Sequence, residues 1–223
     1  MQTLDTAQLM ALAGALGWAS GVRLYLVILL TGMAGFLGWV PLPPGLRLLA
    51  HPVVLGASGF MVFVEFFADK FPGLDSLWDL VHTVIRIPAG AALAASVFGL
   101  DNAVMALVAG LLGGSLAATS HLTKATTRAA INTSPEPFTN MGASFTEDGL
   151  VPLSLWLAVA HPLLFGILLL ALVALSWWLI GKCWRYLRSL FGRLTRIFSG
   201  QPDPGTQPAF RFSKKISGES SHV

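Results

Sequence analysis

Residues 150–180 read LVPLSLWLAVAHPLLFGILLLALVALSWWLI, a run with no Asp, Glu, Lys or Arg. In a bilayer every backbone polar group must be bonded within the protein, so spanning segments are helices or closed barrels. A run of this length far exceeds the roughly 10-residue alternating strands of a barrel. The stretch therefore reads as helix inside a membrane. A second run agrees with it: between Thr6 and Pro44 the only charged residue is Arg23. Over all 223 residues 54% are hydrophobic and 11% charged, against roughly 45–50% and about 25% in soluble domains. The chain reads as an all-α, polytopic helical membrane protein whose first partner is the lipid bilayer.

Apolar length, Gly/Pro punctuation and charges suggest about six helical segments, near 7–20, 22–39, 52–68, 77–99, 102–130 and 150–181. A plain span takes about 20 apolar residues, so several of these are short and one is long, which points to broken or re-entrant helices. The first run would extend about 50 Å as one helix, yet Gly17, Ser20 and Gly21 cluster before Arg23, and two pieces with a small-residue break are expected. His51 and His161 precede prolines that suit helix starts, so both read as boundary residues. Gly17 with Gly21, and Gly110 with Gly114, stand at the spacing that lets helix backbones approach closely in lipid.

The halves echo each other. Ala13-Gly-Ala-Leu-Gly17 resembles Ala109-Gly-Leu-Leu-Gly113 at an offset of 96, and Ala50-His-Pro52 resembles Ala160-His-Pro162 at an offset of 110. These matches suggest repeats over 8–100 and 103–181, with the extra 14 residues assigned to the polar stretch 131–149. Residues 1–181 form the expected transmembrane domain. From Lys182 onward there are eight basic residues and two acids, against six and nine before it. Trp184, Leu187, Phe191 and Leu194 alternate at helical spacing with Arg185, Arg188, Arg193 and Arg196. Residues 182–198 therefore read as a basic amphipathic juxtamembrane helix, and 199–223 as a disordered tail on the cytoplasmic side. That basic excess marks membrane orientation and implies no nucleic-acid partner. Asp5 stands where a signal peptide would be basic, so the first segment is expected to stay in the mature protein. Cys183, the single cysteine, reads as a structural thiol.

Three polar constellations carry the functional reading. The first runs from Glu65 through Asp69, Lys70, Asp75, Asp79 and His82 to Arg86. On a helix Asp75, Asp79, His82 and Arg86 share one face, and two carboxylates a turn apart need a cation, a metal or a proton between them. These acids, with His82, are candidates for ion or proton coupling; a solvated surface helix is the plainer alternative. Asp75, Asp79 and His82 also have the ligand types of a divalent-metal site, which spacing alone leaves undecided. The second is the basic stripe His121, Lys124, Arg128 and Asn132, whose simplest partner is the acidic stripe of Asp75 and Asp79. Arg23, Lys70, Arg86, Lys124 and Arg128 are thus the candidate counter-charges or anion contacts. The third is the stretch with Asn132, Ser134, Glu136, Asn140, Ser144, Glu147 and Asp148, where two prolines suggest a non-helical segment lining a polar cavity or an ordinary exposed loop.

No nucleophile elbow, phosphate loop, paired-cysteine site or zinc-protease motif occurs, so neither enzymatic activity nor a cofactor is expected. Gly17-Trp-Ala-Ser-Gly21-Val-Arg23-Leu-Tyr25, Glu65 with Ala68-Asp69-Lys70, Trp78-Asp79, Ser134-Pro-Glu136-Pro, Asn140 and Glu147-Asp148 together resemble domain-of-unknown-function family 4126, a set of bacterial polytopic membrane proteins. The resemblance covers residues 8–181. It implies a helical membrane protein and carries over no activity, substrate or residue role. The charge pattern leads to a small bacterial inner-membrane transporter or ion-coupled permease for an unidentified small solute or ion. A non-transporting scaffold and an anionic lipid-carrier site are the alternatives, and a homo-oligomer is left open.

Overall fold

Asp5 starts the first helix by a reciprocal cap: its carboxylate accepts from the Gln8 N–H at 2.7 Å, and the Gln8 side-chain oxygen accepts from the Asp5 N–H at 2.9 Å. In the computed structural model, which describes residues 4–68, 74–99, 102–133 and 137–198, the elements are α1 (Thr6–Phe36), a 3-10 helix (Pro44–Ala50), α2 (Pro52–Ala68), α3 (Leu74–Ser96), α4 (Ala103–Ile131), α5 (Pro137–Ala160) and α6 (Pro162–Phe198). There is no strand among the described residues. Residues 1–186 make one compact unit, to which the packing below belongs; in the second, 187–223, residues 187–198 are helical. α1, α4 and the part of α6 over Pro162–Ser189 are long and apolar enough to cross a membrane. The 3-10 helix with α2, bent by 68°, is a fourth, broken candidate.

Several expected boundaries move. The first two segments are one helix interrupted at Arg23, whose φ of −145° and ψ of 82° leave the helical region. The break falls on the arginine rather than in the small-residue cluster before it. The long last segment is two helices, because Pro162 starts α6 as the His161 reading anticipates. His51 likewise marks a boundary, its ring Nδ1 accepting from the Val53 N–H at the start of α2. The stretch expected to be a non-helical cavity loop is largely helix: α5 begins at Pro137, so Asn140, Glu147 and Asp148 sit on helical turns. No break separates residue 181 from 182, since α6 continues to Phe198. The tail 199–223 lies outside the described residues.

At Arg23, α1 folds back. Leu12 from one arm (6–22) and Leu30, Thr31 and Ala34 from the other (24–36) line the same cavity of about 400 Å³, whereas Leu12 and Thr31 would stand about 28 Å apart on a continuous helix. Contacts between elements fix their directions. Arm 6–22 and α4 run the same way, since Gly17 meets Gly113, Gly21 meets Ala117 and Val22 meets Lys124. α6 runs with them, Gly14 meeting Phe165 and Leu169 while Trp18 and Val22 share a cavity wall with Leu172, Leu175 and Leu179. α5 runs against them, with Val159 at Gln8 and Ser144 at Arg23. α3 opposes α4, pairing Gly110 with Ala95 and His121 with Thr83. α2 opposes arm 24–36, pairing Gly32 with Leu55 and Leu29 with Gly59.

Small residues bring α1, α3 and α4 into backbone contact. A Cβ on Gly17 would lie 2.6 Å from the Gly113 Cα, and one on Gly90 would lie 2.6 Å from the Ala117 Cβ. Side chains here would drive the helices apart, which in lipid removes the packing that holds them together. The rest of the surface is inverted relative to a soluble protein. Val84, Leu111, Leu163 and Leu170 point outward, while among the described residues the three largest fully buried side chains are Arg23, Arg86 and Arg128. Apolar residues facing hydrocarbon cost nothing, and the charges are gathered where neighbouring helices can neutralise them.

Candidate functional site

The break at Arg23 opens backbone as well as turning the chain. Val22, whose carbonyl would otherwise accept within the helix, takes a hydrogen bond from Lys124 Nζ at 3.3 Å, and the Trp18 carbonyl accepts from Ser120 Oγ at 2.6 Å. α4 thus stitches itself to the interrupted end of arm 6–22. Around this point, among the described residues, four carboxylates and four cations from five helices form one network, almost all of it buried.

At one end, Arg86 of α3 holds Glu65 of α2 at 2.5 Å and Asp79, two turns earlier on its own helix, at 2.6 Å. All three side chains are essentially without exposure. Arg86 also faces His121 Nδ1 at 3.4 Å. Thr83 Oγ1 donates to the Asp79 carbonyl at 2.9 Å, so its 2.7 Å contact with His121 is assigned as a bond donated by the ring Nε2. That tautomer leaves Nδ1 as the acceptor facing Arg86.

Lys124 of α4 is the link to the other end. Its Nζ stands 3.6 Å from Asp79 Oδ1 and 3.3 Å from Glu147 Oε2. Glu147 of α5 also accepts from Arg128 Nη2 at 3.1 Å and lies 4.0 Å from Arg23 Nε. Arg23 Nε meets Asp148 at 2.8 Å, and Arg23 Nη2 donates to Ser144 Oγ at 2.8 Å. Arg128 donates from Nη1 to the Asn140 carbonyl at 3.0 Å and to the Asn140 side-chain oxygen. Desolvating each ion costs several kcal/mol, which is offset only where opposite charge and hydrogen bonds surround it.

Of the residues singled out by sequence, the fold brings together Arg23, Glu65, Asp79, Arg86, Lys124, Arg128, Asn140, Glu147 and Asp148. The expected pairing of basic and acidic stripes holds for Lys124 with Asp79, whereas Arg128 turns to Glu147. His82 stands apart from the carboxylates: its Nδ1 bonds the Trp78 carbonyl at 2.8 Å, its Nε2 meets the Tyr25 hydroxyl at 3.2 Å, and its ring stacks on Trp78. Asn132 is the C-cap of α4. Asp69, Lys70, Ser134 and Glu136 lie outside the described residues, as does the side chain of Asp75. Among the described residues no three His, Cys, Asp or Glu gather as a metal site.

Thr83 and Ser120 enter the site with no charge to mark them, and Ser144 joins it from the polar stretch singled out by sequence. Ser144 had a usable signal, since Asn140, Ser144 and Glu147 stand at steps of four and three and follow Pro137 at the first helical position. Beside Lys124 and Glu147 lies a cavity of about 260 Å³ between α1, α4, α5 and α6, with Trp18, Thr127, Leu150 and Leu172 in its wall. The site as a whole holds charge away from water, with Lys124 shared between carboxylates of two helices.

No curated protein and no solved structure matches the chain significantly. The family model described as a domain of unknown function (DUF4126) matches residues 10–182, the segment that carries every helix of the network, and the chain belongs to that family.

Proposed function

We propose that the protein is a small ion- or proton-coupled membrane transporter, in which a proton or cation competes with Lys124 for Asp79 and Glu147. The observation that carries this reading is the position of Lys124. It is shared between two carboxylates on different helices at 3.6 and 3.3 Å and bonded to the carbonyl exposed by the break in α1. Those contacts are longer than the roughly 2.7–2.9 Å of a strong charge-assisted bond. An ion that neutralised one carboxylate would shift Lys124 toward the other, and through Val22 that shift would reach the turn between the two arms of α1. Discontinuous helices around buried polar groups are a recurrent arrangement in secondary transporters.

The repeat expected from sequence belongs to the same proposal. Residues 6–22, residues 24–36 and α2 follow one another in the same senses as α4, α5 and α6, with α3 between the two groups. The Ala13–Gly17 match falls in the first member of each group, and the His-Pro junctions begin the third. On this alignment most of the extra residues lengthen α4 past Thr119, the counterpart of Arg23, rather than the polar stretch 131–149. Those added turns carry His121, Lys124 and Arg128. The groups are then parallel repeats, related by an axis along the membrane normal. The basic excess from Lys182 onward supports a C-terminus on the cytosolic side.

Reconstituted in liposomes on a solid support, the wild-type protein is expected to displace charge on a pH or cation jump. Asp79→Asn is expected to lose that current at equal amounts of folded protein. An unchanged current from Asp79→Asn would overturn the assignment. The pairing of every described carboxylate of the network with a cation favours a second reading, a static scaffold with fixed ion pairs. Silence from both proteins would move the weight there.

A further inference from the structure

We propose that the cavity between arm 24–36 and α5 binds an uncharged, lipid-soluble alcohol or carbonyl compound, taken up sideways from the membrane. The inference stands apart from the transport reading. The cavity measures about 400 Å³, room for roughly a dozen heavy atoms at about 30 Å³ each, the share of one molecule in liquid water. Leu12, Leu30, Leu155 and Val159 supply apolar wall, and among the described residues none that line the cavity carries a charged side chain. The hydroxyl on that wall belongs to Thr31, which is 6% exposed and whose Oγ1 has no hydrogen-bond partner among the described residues. Other helical threonines of this chain behave differently: Thr119, Thr123, Thr126 and Thr146 donate to the carbonyl four residues earlier at 2.9, 2.7, 2.7 and 2.8 Å. Thr31 leaves the equivalent bond unmade, and a buried hydroxyl without a partner is destabilising until one arrives.

Placement sets the source of the ligand. Arm 24–36 and α5 both run away from the break at Arg23, since Ser144 meets Arg23 while Val159 meets Gln8. Trp39 follows the end of the arm and Trp156 lies one turn before the end of α5, so both tryptophans stand at the same end of the bundle. Both are exposed, as aromatic residues are at the level of lipid headgroups. Thr31 lies five residues inside the end of the arm at Phe36, about 7.5 Å deeper, where hydrocarbon offers the hydroxyl no water. Pro152 and Ala160 of the lining are exposed as well, and exposed Leu153 adjoins them, so the cavity opens on an apolar face. A carboxylate or ammonium held against this wall would meet no counter-charge on it. An uncharged oxygen accepts from Thr31 while the carbon body of the ligand covers the leucines.

The test photolabels the full chain in nanodiscs with a decanol that carries a mid-chain diazirine, and locates the labelled residues by peptide mass spectrometry. Saturable labelling is expected on residues 30–42 and 152–160, which line the cavity. At equal amounts in the bilayer, 1-decanol and 2-decanone are expected to compete about tenfold more strongly than decane or decanoate, the effect of one hydrogen bond. Thr31→Val keeps the shape of the side chain and removes its hydroxyl. It is expected to abolish that preference with a melting temperature unchanged or raised, because an unsatisfied polar group has gone. Labelling that never saturates and spreads over all lipid-facing helices overturns the proposal, as does equal or stronger competition by decane or decanoate. So does a preference that survives Thr31→Val, or a melting temperature lowered by it, which would give the hydroxyl a partner inside the protein. Saturable labelling without an Asp79-dependent current retains the cavity assignment and removes transport, and the current without such labelling does the reverse.

Discussion

The two ends of the buried network are built from the same ions and behave as different materials. Around Arg86, Glu65 and Asp79 the contacts are 2.5 and 2.6 Å and the side chains are sealed. Around Lys124 the contacts with Asp79 and Glu147 lengthen to 3.6 and 3.3 Å, and the Glu147 and Asp148 side chains keep 15% and 26% exposure. Geometry explains the contrast. Arg86 offers a planar fork that meets two carboxylates at once, and it sits where the glycines of α1, α3 and α4 bring the helices into backbone contact. Lys124 is a point charge on a long stem beside a cavity, reaching three oxygens on three elements. A tight end and a loose end in one network suggest that the first holds the helices in register while the second exchanges partners.

The contrast breaks first, if it breaks at all, at Arg86. Arg86→Gln leaves Glu65 and Asp79 buried with their main counter-charge gone, and removing one partner of a buried pair costs about 3–5 kcal/mol. Thermal unfolding in detergent is expected to show a large drop in melting temperature, partly recovered by adding Glu65→Gln, which removes one of the stranded charges. Lys124→Gln is expected to cost less, about 1–2 kcal/mol. Its contacts are longer, and Asp79 and Glu147 keep Arg86 and Arg128 respectively. If the two substitutions proved equally destabilising in the same melting experiment, the distinction between a sealed and an exchangeable end would fall.

How far this was readable in advance differs between the two ends for a physical reason. The sealed end lies on α2 and α3, where Glu65 closes an apolar run and Asp79 and Arg86 share a helical face, so period and charge alone mark it. Lys124 and Arg128 are visible on α4 in the same way. Their partners on α5 were misread as loop, because Asn, Ser, Thr, Pro and Gly dominate 131–149 and mask the helical signal. That signal was present in Pro137 at the helix start and in Phe138, Met141 and Phe145 at helical spacing. The fold-back at Arg23 was legible only as a break. Its position and sharpness come from contacts 121 and 125 residues away, with Ser144 and Asp148, and a local pattern cannot register those. His82 shares the helical face of Asp79 and yet faces Tyr25, because Trp78 one turn earlier stacks on its ring.

The smallest expected effect lies at Tyr25, and it sharpens the comparison because Tyr25 borders the sealed end without carrying charge. Tyr25→Phe removes one hydroxyl, whose contact is His82 Nε2 at 3.2 Å. His82 keeps its bond to the Trp78 carbonyl and its stacking on the Trp78 ring, so the ring stays oriented and only one neutral hydrogen bond is lost. Such a loss costs about 0.5–1.5 kcal/mol, well below the value expected for Arg86→Gln in the same detergent melt. A drop as large as that of Arg86→Gln would mean that the aromatic group of Tyr25, Trp78 and His82 fastens α1 to α3, and that the Arg86 ion pairs merely occupy the space those rings enclose.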